Sequence, residues 1–287
     1  EIVTALALAG RLDFNPLSDT IVSNGKKLKL VPPSGDELPK NGYAAGESGF
    51  IAPLPEAKRR NVSVAIDEKS DRLQMLAPFA AWDGKDFENL TVLLKAKGKC
   101  TTDHISPAGP WLKYRGHLNK ISDNMFLGAK NAFTEALGTV KNWSKGGAIT
   151  TPAEAARDYK KNGVSWAAIG DENYGEGSSR EHAAMSPRFL GCKAVIAKSF
   201  ARIHETNLKK QGILPLKFKD PKDYEKIKED DRLSVHGLKE LTPERLLTLT
   251  IHHADKTMDT SELVHSFTKE QVAWFKAGSA LNLMKGK

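Results

Sequence analysis

Cysteine is nearly absent. Cys100 and Cys192 are the two thiols in 287 residues, far apart and without a C-x-x-C spacing. That excludes a disulfide framework and any complete zinc or iron-sulfur site built from this chain's own thiolates. Long apolar runs are also missing: no stretch approaches the roughly 18 residues a membrane span needs, so no membrane role is expected. Charge of neither sign dominates. Lys and Arg number 43 against 35 Asp and Glu, and the resulting +8 is scattered. So mild an excess fits an anionic substrate, a nucleic acid or an alkaline compartment equally well. An initiator Met, a basic leader and an Arg-rich presequence are lacking before Glu1-Ile-Val-Thr, so the chain is expected to be the inside of something longer. There is no internal repeat. What is present, 40% apolar and 27% charged residues, describes one or two compact units with a sizeable core.

Along the chain, Glu1 to Gly10 is Ala/Leu-rich with a glycine stop and reads as a helix. From Leu17 to about Trp82 the segment carries Pro32-Pro33, Pro39, Pro53, Pro55, many glycines and the basic run Lys58-Arg59-Arg60. Only short alternating stretches such as Val62 to Ile66 interrupt it, so it reads as a long linker. After Asp83-Gly84 strands and capped helices alternate. Strands are predicted at Leu90–Ala96, Val164–Gly170, Lys193–Lys198 and Ile213–Phe218. Helices are predicted after Thr151-Pro152, from Ser178 to Ser186 before Pro187, and over Phe200–Lys210. That order favours an α/β layer with partly parallel strands, whose ligands sit where strand ends meet helix starts. More β-type elements are expected at Arg232–His236, Leu246–His252 and Glu262–Ser266. Thr268-x-x-Gln271 is a capping box opening a C-terminal helix with Val272, Phe275 and Leu281 turned inward.

Two loops concentrate groups that could do chemistry. Gly175-Glu176-Gly177-Ser178-Ser179-Arg180 places glycines, two hydroxyls and a guanidinium at a strand-to-helix junction, where free N–H groups favour an anion. It has neither the Gly-Lys-Ser/Thr ending of a P-loop nor a dinucleotide fingerprint, and Ser178-x-x-Glu181 also reads as a plain capping box. Thr101-Thr102-Asp103-His104-Ile105-Ser106, with Arg115 shortly after, is the second loop. Its Asp, His and Ser lie too close in sequence to aim at one point as a hydrolase triad, and each also fits a turn or cap. His117, His182 and His204 read more simply as hydrogen-bonded structural histidines than as metal ligands. The basic runs read as solvated faces, without a nucleic-acid motif beside them.

Three stretches carry a family resemblance. Cys100-Thr-Thr-Asp103-His-Ile-Ser106 with Gly109-Pro-Trp-Leu-Lys-Tyr-Arg115-Gly-His-Leu118 is the first, and Ile169-Gly-Asp-Glu-Asn-Tyr-Gly-Glu-Gly-Ser178-Ser-Arg180-Glu-His182 the second. The third is Lys198-Ser-Phe-Ala-Arg-Ile-His-Glu-Thr-Asn-Leu-Lys-Lys-Gln-Gly212. They resemble the C-terminal part of aconitases of the mitochondrial type, and the resemblance runs over nearly the whole chain. It implies that residues 1–16 end a preceding domain, 17–82 form an interdomain linker and 83–287 form the swivelling α/β domain. The implied activity is reversible dehydration and rehydration of citrate to isocitrate through cis-aconitate, in the tricarboxylic acid cycle and the mitochondrial matrix. The implied cofactor is a [4Fe-4S] cluster ligated upstream of this chain, so the chain alone is expected to bind no cluster and to be inactive. By resemblance Ser178 is the catalytic base, Ser179 and Arg180 contact a substrate carboxylate, and Arg115 pairs another. Asp103 is then an active-site carboxylate orienting the site or a partner histidine, with Ser106 in support.

Ala184-Met185-Ser186-Pro187 and Cys192-Lys193 depart from the common pattern. They leave open a fungal-type paralogue that converts homocitrate to homoaconitate in lysine biosynthesis, a one-methylene difference that a pocket discriminates by only about 1–3 kcal/mol. A nucleic-acid-binding module is the reading from another class, motivated by the +8 charge and by RNA-binding relatives of aconitase. A separate small subunit, as in isopropylmalate isomerases, is a third, and the Ala/Leu-rich first helix argues against it.

Overall fold

The computed structural model describes residues 1–35, 42–43, 49, 51–59 and 61–285, so Pro39 and Arg60 lie outside the described residues. The chain divides into two compact units, Glu1–Ser63 and Val64–Lys287, and the stretch 17–82 is shared between them.

In the first unit α1 (Ile2–Ala9) ends at Gly10 in the left-handed conformation, the expected glycine stop. Strands β1 (Thr20–Ser23) and β2 (Lys26–Lys29) form an antiparallel hairpin. Its turn, Asn24-Gly25, has positive φ at both residues, the signature of a two-residue hairpin loop that the linker reading passed over. A single helical turn, α2 (Glu56–Arg59), follows.

The second unit contains, in order, β3 (Phe87–Lys95), α3 (Thr102–Ile105), α4 (Leu118–Ile121), β4 (Val140–Asn142), β5 (Ala148–Thr150), α5 (Pro152–Lys161) and β6 (Trp166–Gly170). Then come α6 (His182–Phe189), β7 (Cys192–Ala197), α7 (Arg202–Lys210), β8 (Leu214–Phe218), β9 (Arg232–His236), β10 (Leu247–His252), β11 (Met258–Val264), α8 (Lys269–Ala277) and α9 (Ala280–Lys285). Seven strands close into a barrel in the order β10-β11-β8-β7-β6-β3-β9. Pairs β3/β6, β6/β7 and β7/β8 are parallel, as the alternation of strands and helices predicts, and the other four pairs are antiparallel. Closure was not legible from the pattern, because nothing in a strand's own residues states which partner its far edge takes.

Burial follows from this mixed pairing. Strand β6 is buried at every position, since the barrel covers one face and the crossover helices the other, whereas β10 alternates with Thr248 exposed between Leu247 and Leu249. Val92, Ala167, Ile169, Ile196, Leu216 and Leu233 belong to one cluster, and Leu93, Ala168, Val195, Ala156, Ala183 and Leu208 to a second between sheet and helices. Helix α5 begins after Thr151 as expected, where a capping box with Glu154 closes its start, and α8 begins at the expected capping box of Thr268.

Four expectations change. Val62 to Ile66 forms no strand. Helix α6 starts at His182 rather than Ser178 and continues through Pro187, forgoing the one ladder bond that proline cannot donate. Leu281 is 73% exposed, because Gly278 at φ +89 ends α8 and redirects the chain into α9. The segment before β3 is ordered against the unit: Trp82 N–H donates to the Lys276 carbonyl, Asn282 Nδ2 to the Phe79 carbonyl, and Gln74 N–H to the Gly116 carbonyl at 2.8 Å.

The turn joining β10 to β11 is clasped by a histidine. His253 Nδ1 lies 2.8 Å from Asp231 Oδ1, and its Nε2 3.2 Å from Asp259 Oδ2. The Asp231 hydrogen bond raises the His253 pKa above its ordinary 6.5, burial opposes it and Asp259 adds to it. A raised folded-state pKa contributes stability that is fully present below the unfolded value and lost as pH rises through the folded one. The melting temperature is therefore expected to fall as pH is raised from about 6 through the folded His253 pKa. Melting curves of His253→Gln should lack that part of the slope; an unchanged slope removes the clasp.

Candidate active site

The exits of the parallel strands build the site. Beyond β3, Thr101 caps α3 by accepting from His104 N–H at 3.2 Å, while Thr101 N–H donates to His104 Nδ1. This reciprocal cap fixes Asp103 on the outer face of the turn and buries Ser106 at its end. Beyond β6 the loop from Asp171 to Glu181 is stitched to both neighbouring exits. Gly175 N–H donates to the Cys100 carbonyl at 2.7 Å and Thr102 N–H to the Glu176 carbonyl at 2.9 Å, on the β3 side. On the β7 side Asn173 N–H donates to Ser199 Oγ and Tyr174 N–H to the Ser199 carbonyl. Asp171 joins the strand exits: it accepts from Gly98 N–H at 2.8 Å and pairs with Lys198 at 2.9 Å. Burial works to raise its pKa, but the Lys198 hydrogen bond and the Gly98 and Glu172 amides outweigh it and hold the carboxyl below the ordinary range.

These stitches hold residues 175–180 out of the helix, which is why the Ser178-x-x-Glu181 pattern does not cap it; Glu181 is the N-cap residue and makes no side-chain cap bond. Among the described residues neither the Ser178 nor the Ser179 N–H has an acceptor, and the Ser178 hydroxyl has no partner. Arg180 folds back onto the first loop: its Nη1 lies 2.6 Å from Asp103 Oδ1 and donates to the Ser106 carbonyl at 2.9 Å. Asp103 thus orients an arginine rather than a histidine. Ser106 reaches the guanidinium through its carbonyl, while its hydroxyl donates to Asn124 Oδ1 at 3.3 Å and Asn124 Nδ2 donates to the Pro107 carbonyl. Arg115 closes the helical segment Gly109–Tyr114, and its carbonyl accepts from His182 Nε2 at 3.0 Å.

Ser106, Arg115, Ser178, Ser179, Arg180 and His182 line one cleft of about 290 Å³. Five of the six residues expected at the site are therefore brought together, and Asp103 joins them through Arg180. His104 instead holds its own turn, so no hydrolase triad forms. A larger hollow of about 620 Å³ over the start of α7 offers Arg202 and Lys210 but no serine, carboxylate or histidine. Asn124 and Gln74 support the site without any sequence signal, and Asp171, inside the second resembling stretch, does so through the Gly98 amide; each acts on a backbone group brought near only by the fold.

A mixed α/β barrel here gathers two guanidiniums, three serines and free amides at the exits of its parallel strands. Residues 90–221 match the family described as the aconitase C-terminal domain. The chain is 55% identical over 289 residues to a probable mitochondrial aconitate hydratase of Dictyostelium discoideum, covering 100% of this chain and 37% of that protein. It is 54% identical over 286 residues to the mitochondrial aconitate hydratase of Saccharomyces cerevisiae, covering 99% and 36%. A solved 3-isopropylmalate dehydratase from Methanocaldococcus jannaschii aligns at 22% identity and a TM-score of 0.46, over 70% of this chain and 95% of that one. Residues 90–221 of this chain carry the aconitase C-terminal domain match, and the chain spans a little over a third of the length of the curated relatives it matches.

The family uses a [4Fe-4S] cluster, and the described residues do not fit one. No group of three or more His, Cys, Asp or Glu among them could hold a metal. Cys100 and Cys192 are both buried, and burial pushes the Cys100 thiol up to about 12 and Cys192 well up too, so neither supplies a thiolate at neutral pH.

Proposed function

We propose that this chain is the base-bearing C-terminal part of an aconitase that interconverts citrate and isocitrate through cis-aconitate. The observation that supports it is the single cleft in which Ser178, with free amides beside it, faces Arg115 and Arg180. Removing a carbon-bound proton next to a carboxylate calls for a strong base, and a serine serves only as an alkoxide held by nearby N–H groups and a cation. The amides of Ser178 and Ser179 and the Arg180 guanidinium supply both. Arg115 and Arg180 take two substrate carboxylates, a task for which the planar guanidinium fork is suited. Ser179 adds a hydroxyl contact, Asp103 holds Arg180 in place, and Ser106 supports it from behind.

The cluster, in this reading, is ligated by residues outside this chain, in cluster-bearing domains of the same polypeptide. The mitochondrial relatives and the basic charge favour the matrix as location. Citrate is favoured over homocitrate by the names of the relatives and by the packing of α6. Ala184 and Ser186, part of the sequence departure, are fully buried in the core, and neither lines the cleft.

The complete polypeptide loaded with its cluster is expected to hydrate cis-aconitate, and this chain alone is not. Turnover by the isolated, iron-free chain, followed by loss of cis-aconitate absorbance, would overturn the assignment.

A further inference from the structure

Arg115 is an anion-binding side chain on a short and otherwise poorly anchored piece of backbone. It ends a single 3-10 segment, it is exposed, and glycine follows it. Among the described residues, two segments outside 109–121 bond to that turn. On one side the strap at Leu73 and Gln74 lies against Gly116 so closely that a Cβ there would stand 2.7 Å from Leu73 Cδ2 and 3.0 Å from the Arg72 carbonyl. On the other side stands His182, 8% exposed, the first residue of α6 and two residues beyond Arg180.

We propose that His182 is a positioning residue for Arg115, acting through the Arg115 carbonyl to set the spacing between the two carboxylate-binding arginines. The inference rests on the reading of Arg115 as a carboxylate ligand. A carbonyl can only accept, so the His182 Nε2 at 3.0 Å carries the hydrogen and donates it. That single bond ties the Arg115 turn to the backbone that carries Ser178 and Arg180. The remaining ring nitrogen, Nδ1, lies 3.4 Å from Glu181 Oε1 on the same helix start. The Nε2 hydrogen is thus committed to a backbone carbonyl, an arrangement for holding a turn rather than for passing protons to a substrate. Loss of the bond frees the Arg115 turn on one side, and an arginine that grips substrate and transition state alike shows its displacement in KM.

The test compares His182→Gln, whose amide nitrogen reaches the place of Nε2, with His182→Met, which has similar length and no donor, in the cluster-loaded complete polypeptide. His182→Met is expected to raise KM for cis-aconitate about tenfold, with kcat within about threefold of the parent. His182→Gln should recover most of the parent KM, and both should keep the parent's pH profile for kcat. Combined with Arg115→Lys, His182→Met should add little further increase. If Arg115→Lys raises KM while His182→Met leaves it within twofold, the positioning role is wrong and the carboxylate reading stands. If neither moves KM, the carboxylate reading falls and takes the positioning role with it. A His182→Gln as impaired as His182→Met, or a kcat loss with a shifted pH profile, also overturns the proposal. Should His182→Met fail to fold, His182→Ala against His182→Gln makes the same comparison.

Discussion

Ser178→Ala in the cluster-loaded complete polypeptide is expected to lower kcat for hydration of cis-aconitate by about 10³-fold, the middle of the range for a positioned acid–base group, because in hydration the serine hydroxyl returns the proton that its alkoxide takes in dehydration. KM should change little, because the carboxylate grip assigned to Arg115 and Arg180 stays in place. The size follows from the surroundings of the serine. Its hydroxyl has no partner, the neighbouring N–H groups of Ser178 and Ser179 have no acceptor, and Arg180 stands in the same cleft. Such donors are worth most where charge develops during the reaction, and alanine leaves them nothing to stabilise on the enzyme. Turnover of the alanine variant within tenfold of the parent would remove Ser178 as the base.

Gly175→Ala is expected to destabilise the fold strongly, and this can be measured on this chain without cofactor. Gly175 sits at φ +82, and a Cβ there would stand 2.1 Å from Cδ2 of His204 and 2.5 Å from its Cβ. The imidazole has nowhere to go. It is 1% exposed, lies against the Tyr174 ring at 5.4 Å between centroids, and burial pushes its pKa down to about 4, so it stays neutral. Left-handed strain and overpacking cost about 1–3 kcal/mol each. For a unit of this size that corresponds to a drop in melting temperature of about 10 °C. A Gly175→Ala chain melting within about 2 °C of the parent would show that the loop can step away from α7 at no cost.

The order of elements and much of the site were legible because both are written locally. Strand β9 falls where the alternation of Arg232-Leu-Ser-Val-His236 puts it, and α5 and α8 start at their capping boxes. Ser178, Ser179, Arg180 and Arg115 stood out as polar groups crowded at strand exits. The illegible parts depend on approaches between distant segments. Ser178-x-x-Glu181 is a valid cap pattern, yet the bonds from Gly175 to Cys100 and from Arg180 to Asp103 pull it off the helix axis. Leu281 has the right period for an inward face, but Gly278 turns the chain before that face is reached. The barrel's closure, and with it the support given by Asp171 and Asn124, is a property of strand partners that no single segment specifies.

The closed ring of strands also has a mechanical meaning. An open sheet can twist or shear at its free edges, whereas seven strands bonded all the way round have none to give. The loops leaving β3 and β6 therefore share one stiff mounting, and a rotation of the barrel carries Ser178, Arg180 and Asp103 through space as fixed teeth on one jaw. Arg115 is the exception, because its turn is also tied to the strap at Gln74, which the C-terminal helices grip at Phe79 and Trp82. A pull on that strap reaches Arg115 first and is resisted by the His182 bond to its carbonyl, so the gap between the two arginines is the dimension of the jaw that strap and ring set together.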